Sequence, residues 1–188
     1  MAKNSIDELD LRIIKALSED CTKSTTQIAK EVNSTRPTVT ARIADLKKSN
    51  IIDFGAKINV SKLGFKLASI HFEARDPQSG KQLIITMTKC PRVLQLFQIS
   101  GKPIYLAFVF TENAETLLAT MDCLTTIVNA RIISYQRVIP LLGESFSLKV
   151  SLEKGELTPC GKNCGLCISY KQNECSGCPS SMAYRGPI

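Results

Sequence analysis

The sequence predicts an α+β protein in three parts: three short helices with a two-stranded wing, a βαββαβ sandwich, and a small cysteine-rich module. Three observations predict it. Apolar residues recur at helical spacing from residue 6 to about 48, the period changes to that of strands and helices in alternation over 66–140, and five cysteines fall within the 19 residues from Cys160 to Cys178. The boundaries implied are 1–63, 64–152 and 153–188.

Ile6, Leu9, Ile13, Ala16 and Leu17 form one stripe behind a capping Asp7, which makes a first helix. A loop from Glu19 to Ser24 leads to a short helix carrying Ile28, Ala29 and Val32. Asn33-Ser34-Thr35 then turns the chain into a third helix with Val39, Ile43 and Leu46 inward. Pro37 is tolerated there because the first helical turn has no acceptor for its missing N–H. Ile51 to Phe54 and Lys57 to Val60 read as two strands about Gly55, completing a winged helix-turn-helix.

From Lys66 to Arg75 the chain alternates, with Ala68, Ile70, Phe72 and Ala74 on one face. Gly80 to Lys89 reads as a helix, Val93 to Ile99 and Ile104 to Thr111 as strands. Ala114 to Val128 reads as a helix striped by Leu117, Met121, Leu124 and Val128, and Arg131 to Ile139 as a last strand. Two right-handed βαβ halves in this order give an antiparallel four-stranded sheet with both helices on one face, a ferredoxin-like sandwich. Leu94, Leu96, Ile104, Leu106 and Phe108 supply more apolar strand surface than two helices hide, which predicts a second subunit on the open face.

The net charge of +7 suits an anionic partner, and its distribution says more than its size. From Arg36 to Lys62 six basic residues face two acids. With Val39, Ile43 and Leu46 turned inward, the third helix leaves Thr35, Arg36, Thr38, Thr40, Ala41 and Arg42 outward. Arginine offers two donors to a guanine edge, and threonine a hydroxyl and a methyl. Lys47, Lys48 and Lys57 are placed for phosphates, where they add affinity without sequence choice. The expected partner is double-stranded promoter DNA.

Cys160, Cys164, Cys167, Cys175 and Cys178 follow the spacing Cys-x3-Cys-x2-Cys-x7-Cys-x2-Cys-Pro. Such a cluster in an intracellular chain points to metal before disulfide. Two Cys-x2-Cys knuckles suit tetrahedral zinc, the leading expectation; the first three cysteines and the final Cys-Pro also suit a [4Fe–4S] cluster. Five thiols exceed the four that either needs. A segment this short lacks a core, so metal binding would be its folding energy, and a labile site would make it a metal or redox sensor.

His71 shares a strand face with Ser69 and Glu73, and Cys90 and Cys123 read as small buried hydrophobes. With one histidine and no Gly-rich phosphate loop, nothing forms a catalytic constellation, and no enzyme is expected. The spacing of the tail resembles radical-SAM enzymes, but the chain is too short for their barrel. A DNA-free assembly scaffold is the remaining alternative. No apolar run nears the roughly 20 residues that span a bilayer, and the first residues lack a secretory core, so the expected location is cytoplasmic.

Ile6-Asp7-Glu8-Leu9-Asp10 through Gly64, followed by βαββαβ, resembles the Lrp/AsnC family of bacterial and archaeal regulators over about residues 5–150. The resemblance is carried by the Asp-x-x-Asp-x-x-Ile-Ile opening, by Arg42-Ile43-x-x-Leu46, by Pro91-Arg92-Val93 and by Ser100-Gly101. It implies a RAM-like sheet domain, a homodimer built through paired sheets and often gathered into octamers, and pseudo-palindromic operators. It also implies an effector loop at Ser100, Gly101 and Lys102. There the family commonly has acidic and aromatic residues, whereas this chain reads Gly101-Lys102-Pro103 and offers no carboxylate to an ammonium group. A small-molecule amino-acid effector is therefore not expected. Haem-biosynthesis decarboxylases share the architecture, but nothing in them implies the cysteine tail.

Overall fold

The computed structural model describes residues 6–100, 104–141, 143 and 145–188. Two compact units divide at Ala56 and Lys57.

The first unit holds three helices. α1 (Glu8–Glu19) starts in a capping box, in which Asp7 Oδ1 accepts from the Asp10 N–H at 2.9 Å while the Asp10 carboxylate accepts from the Asp7 N–H. α2 (Thr25–Glu31) repeats the device with Ser24 and Gln27, and α3 (Arg36–Lys48) is capped by Thr35. Asn33, at φ 53°, takes the left-handed turn between α2 and α3. Ile13, Ala16, Ile28, Ala29, Val32 and Val39 form the core, with Leu9, Leu17 and Ile43 packed on it. The inward stripes therefore fall where helical spacing predicts.

The expected wing hairpin is absent among the described residues. Residues 51–57 contain no strand, and β1 (Ile58–Asn59) pairs antiparallel with β6 (Ser145–Phe146), far along the chain. The cause lies at the end of α3. Asn50 is left-handed at φ 56°, its N–H donates to the Lys47 carbonyl, and the Ile51 N–H donates to the Leu46 carbonyl at 3.0 Å. This Schellman closure uses the backbone that a first wing strand would need.

The second unit carries β2 (Lys66–Ala74), α4 (Pro77–Lys89), β3 (Val93–Ile99), β4 (Ile104–Thr111), α5 (Ala114–Val128) and β5 (Ala130–Val138). The antiparallel sheet runs β3-β4-β2-β5, as two crossed βαβ halves require. α4 begins before the expected Gly80 because Asp76 caps it through the Ser79 N–H, with Pro77 in the first turn. Ala68, Ile70, Phe72, Ala74, Tyr105, Ala107 and Val109 meet Leu83, Met87, Met121 and Leu124 in the core. Gly80 lets the Tyr105 hydroxyl approach α4 closely: a Cβ there would lie 2.7 Å from it.

On the open sheet face the register corrects one expectation. An irregularity between Val93 and Gln95 turns Leu96 toward the helices, while Leu94 joins Val60, Phe65, Leu67 and Phe110 in a second cluster. Phe97 and Ile99, paired with Leu106 and Ile104, take their place beside Phe108, and Phe97 is 46% exposed.

The cysteine segment belongs to this second unit. Cys164–Leu166 forms a 3-10 turn and α6 spans Ile168–Lys171. Residues 154–159, which lead into the cysteines, are folded: Gly155 bridges Ser181, Leu157 bridges Asn163, and Thr158 is buried. Among the described residues no helix is long and apolar enough to cross a membrane.

Candidate nucleic-acid interface and thiol cavity

α3 buries Val39 and Leu46 and leaves Thr35, Arg36, Thr38, Thr40 and Ala41 exposed. Part of this polar surface is locally engaged. Thr35 and Thr38 share a hydroxyl hydrogen bond of 2.8 Å, and the Thr40 hydroxyl donates to the Arg36 carbonyl at 2.9 Å. Their methyls and the Arg36 guanidinium stay free of the helix core. Lys48 is exposed, and the Lys47 ammonium sits 4.4 Å from the centre of the Phe54 ring. Lys57 is exposed at the start of the second unit.

Arg42 departs from the outward, base-reading role expected of it. Its guanidinium donates to Asp7 at 2.6 Å and to Asp10 at 3.2 Å, joining α3 to the capping box of α1. The Asp10 N–H first and Arg42 next hold the Asp7 carboxyl below its usual range, and Asp7 in turn raises the Arg42 guanidinium. Arg42 is thus a tie between helices, and Arg36 is left as the arginine of the exposed helix surface.

Ser100 is exposed at the end of β3, and Gly101 and Lys102 lie outside the described residues. His71 rests 3.2 Å from the Ser134 hydroxyl through Nδ1, a hydrogen-bonded position on the sheet.

All five tail cysteines line one cavity of about 480 Å³. Sequence reasoning missed that Cys90, at the end of α4, and Cys123, on α5, line it too, although α5 spacing already set Cys123 off the Leu117–Leu124 core stripe. Cys160 and Cys123 lie close enough to shift each other's thiols in opposite directions. The Cys123 thiol first, then the Thr158 hydroxyl 3.1 Å away and the Lys162 N–H, hold the Cys160 thiol below its usual value, while Cys160 and burial push Cys123 up. Burial also raises Cys90, Cys164 and Cys175, and lifts Cys178 to about 12. Among the described residues no three His, Cys, Asp or Glu side chains already converge as the shell of one ion.

The wall of this cavity is held by a buried ion pair. Arg92 Nη2 lies 2.9 Å from Glu112 Oε2, Arg92 Nη1 donates to Glu112 Oε1, and Nη2 also donates to the Gly177 carbonyl. The Tyr184 hydroxyl donates to Glu112 at 2.7 Å, and the Ser176 N–H donates to the Thr116 hydroxyl at 3.1 Å. Residues of the tail therefore dock on α5 and on the segment that follows β4 through polar contacts, with the buried Glu112 Oε2 held by the charge of Arg92 and not by a hydrogen bond.

Residues 6–47 match the AsnC-type helix-turn-helix domain. An HTH-type transcriptional regulator of Pyrococcus horikoshii is 32% identical over 100 residues, 53% of this chain and 63% of that protein. The chain thus spans less than two thirds of the length of the curated relatives it matches first. The leucine response regulatory protein LrpA of Mycobacterium tuberculosis shares the fold at 17% identity and a TM-score of 0.67, over 73% of this chain and 94% of its own. A feast or famine regulatory protein of M. tuberculosis complexed with L-methionine superposes at a TM-score of 0.64 with 17% identity, over 74% of this chain and 95% of its own. In sequence at its N-terminal helices, and in fold through its sheet domain, the chain is similar to helix-turn-helix transcriptional regulators of the Lrp/AsnC type.

Proposed function

We propose that the chain is a sequence-specific transcription regulator of the Lrp/AsnC type that binds double-stranded promoter DNA as a homodimer or a larger assembly such as an octamer. The observation that carries this reading is α3. An AsnC-type helix-turn-helix presents Thr35, Arg36, Thr38, Thr40 and Ala41 to solvent on the helix that such units insert into the major groove. Lys47 and Lys48 in its last turn, and Lys57, supply phosphate affinity. The open apolar sheet face with Phe97, Ile99 and Phe108 supports pairing of subunits. The P. horikoshii relative is named as a transcriptional regulator, which favours this reading over an enzyme or a DNA-free scaffold.

The test is binding of the purified chain to its own promoter fragment and to a shuffled fragment across a salt series. Tighter binding to the promoter, with affinity falling as salt rises, supports the reading. Equal binding to both fragments, or none at low salt, overturns it.

The tail adds a second proposal, a metal module of Cys160, Cys164, Cys167, Cys175 and Cys178 holding zinc or a [4Fe–4S] cluster and biasing DNA binding. Support comes from the thiol spacing and from the shared cavity. Promoter affinity of the loaded and the chelator-stripped protein tests it; equal affinities sink the modulation. An amino-acid effector of the kind named for the M. tuberculosis protein stays outside this reading, because Gly101 and Lys102 bring no carboxylate.

A further inference from the structure

The sheet domain contributes thiols of its own to the cavity under the tail. Cys90 comes from the end of α4 and Cys123 from α5, so seven cysteines from three stretches of chain surround one space of about 480 Å³. The three stretches contribute to the same lining, with Cys123 of α5 and Cys160 of the tail both in the cavity wall. The ring is also fixed from outside, since Arg92 donates to the Gly177 carbonyl and the Ser176 hydroxyl meets that of Thr116 on α5.

Four of these sulfurs suffice for a tetrahedral ion or for a four-iron cluster. As they stand they surround a space without converging on a point. Each cysteine carries its sulfur on one rotatable bond with three staggered positions, so side-chain rotation can redirect the sulfurs that line the space. The cavity wall also carries Lys162 and Asp122, and Arg92, whose charge is paired with Glu112.

We propose that Cys90 and Cys123 are ligands of a soft-metal thiolate centre shared between the tail and the sheet domain. The proposal rests on reading the tail as a metal module and enlarges it. The centre is a clasp that fastens the tail to α4 and α5, the helices packed on the back of the sheet whose other face is open. Metal loss would then loosen the tail, leaving it held by its polar contacts to Arg92, Glu112 and Thr116.

The experiment uses the full chain purified without oxygen. Metal content and visible absorption are measured for the wild type and for Cys90→Ser, Cys123→Ser, Cys164→Ser and Cys21→Ser. Zinc without visible absorption identifies one source of the shared chemistry, and iron with sulfide and broad visible absorption the other. The expected result is a drop of about tenfold or more in metal affinity for Cys90→Ser and Cys123→Ser, as for Cys164→Ser, with Cys21→Ser unchanged. Circular dichroism checks that each variant folds. Cobalt(II) added to the stripped protein gives a second readout, since its thiolate charge-transfer intensity falls as sulfurs leave the shell. If Cys164→Ser loses metal while Cys90→Ser and Cys123→Ser keep its full content and spectrum, the shared centre is overturned and the tail module survives. If the wild type takes up neither zinc, iron nor cobalt, both readings fall. Neither result touches DNA binding by the helical unit.

Discussion

The Arg42 guanidinium lies 2.6 Å from the Asp7 carboxylate, 35 residues away in sequence, and clamps the capping box of α1 to the middle of α3. The orientation of α3 within its unit therefore depends on a residue that spacing alone assigns to DNA. Arg42→Ala is expected to lower the melting temperature of the helical unit and to weaken promoter binding, while the ranking of operator variants stays as in the wild type. Operator selection alongside thermal unfolding checks this; a changed ranking at unchanged stability would return Arg42 to the reading surface.

The same pair fixes an acid dependence. The Asp7 carboxyl is held below its ordinary 3.8, first by the Asp10 N–H and then by Arg42. A carboxyl lowered on folding contributes stability above its unfolded value that is lost as pH falls through the lower folded value. The helical unit should lose stability below about pH 4 more steeply in the wild type than in Asp7→Asn. Parallel acid titrations of the two, followed by circular dichroism, decide; curves of equal steepness remove Asp7 from the account.

Arg36 and Lys48 are expected to fail in different ways. Arg36 is exposed in the first turn of α3, and Arg36→Ala should weaken promoter binding by roughly 1–3 kcal/mol and relax preference at one base position. Lys48→Ala should reduce binding to every sequence and flatten the salt dependence by about one unit. Affinities measured over a salt series on matched and mismatched fragments separate the two. A uniform loss in Arg36→Ala would mean that it touches phosphate, not bases.

What could be read along the chain was whatever depends on near neighbours. The inward stripes of α1 to α3, the alternation of β2 and the strand order follow from spacings of a few residues and from crossover handedness. What could not be read depends on distant partners. Ile58 looks like the second strand of a hairpin, yet its partner is Phe146, while the candidate partner segment at Ile51 is drawn into the helix cap. Leu94 and Leu96 share a strand parity, but the irregularity beside them sends them to different clusters. Cys90 and Cys123 are isolated in sequence and become part of a ring only when α4, α5 and the tail fold together.

Phe97 stands 46% exposed on the open sheet face, and its ring meets Phe108 edge to face at 6.2 Å. If this face is the subunit contact, Phe97→Asp both withdraws an aromatic from the interface and buries a charge. Burial of one such side chain is worth about 1.5–3 kcal/mol, so the dimer dissociation constant should rise by at least roughly tenfold. Sedimentation equilibrium reads it directly. A variant as tightly associated as the wild type moves the interface elsewhere.

Arg92 and Glu112 are both nearly buried, with side chains 4% and 14% exposed, and the Tyr184 hydroxyl donates to the same carboxylate. Truncating Arg92 to alanine leaves Glu112 charged and unpaired, a change that typically costs about 3–5 kcal/mol, and it removes the donor to the Gly177 carbonyl. Lysine should not rescue it, since one ammonium cannot reproduce a planar fork that serves two acceptors. Burial first, and then the donated bond to Glu112, raise the Tyr184 hydroxyl well above its ordinary 10.0. A group raised on folding contributes stability that is complete below its unfolded value and lost as pH climbs toward the folded one. The sheet-and-tail unit should therefore weaken above about pH 10, and Tyr184→Phe should blunt that alkaline decline while leaving the Arg92–Glu112 pair in place. Denaturant unfolding of the two proteins at neutral and alkaline pH tests it. An identical alkaline decline in Tyr184→Phe would show that the hydroxyl does not couple the tail to Glu112.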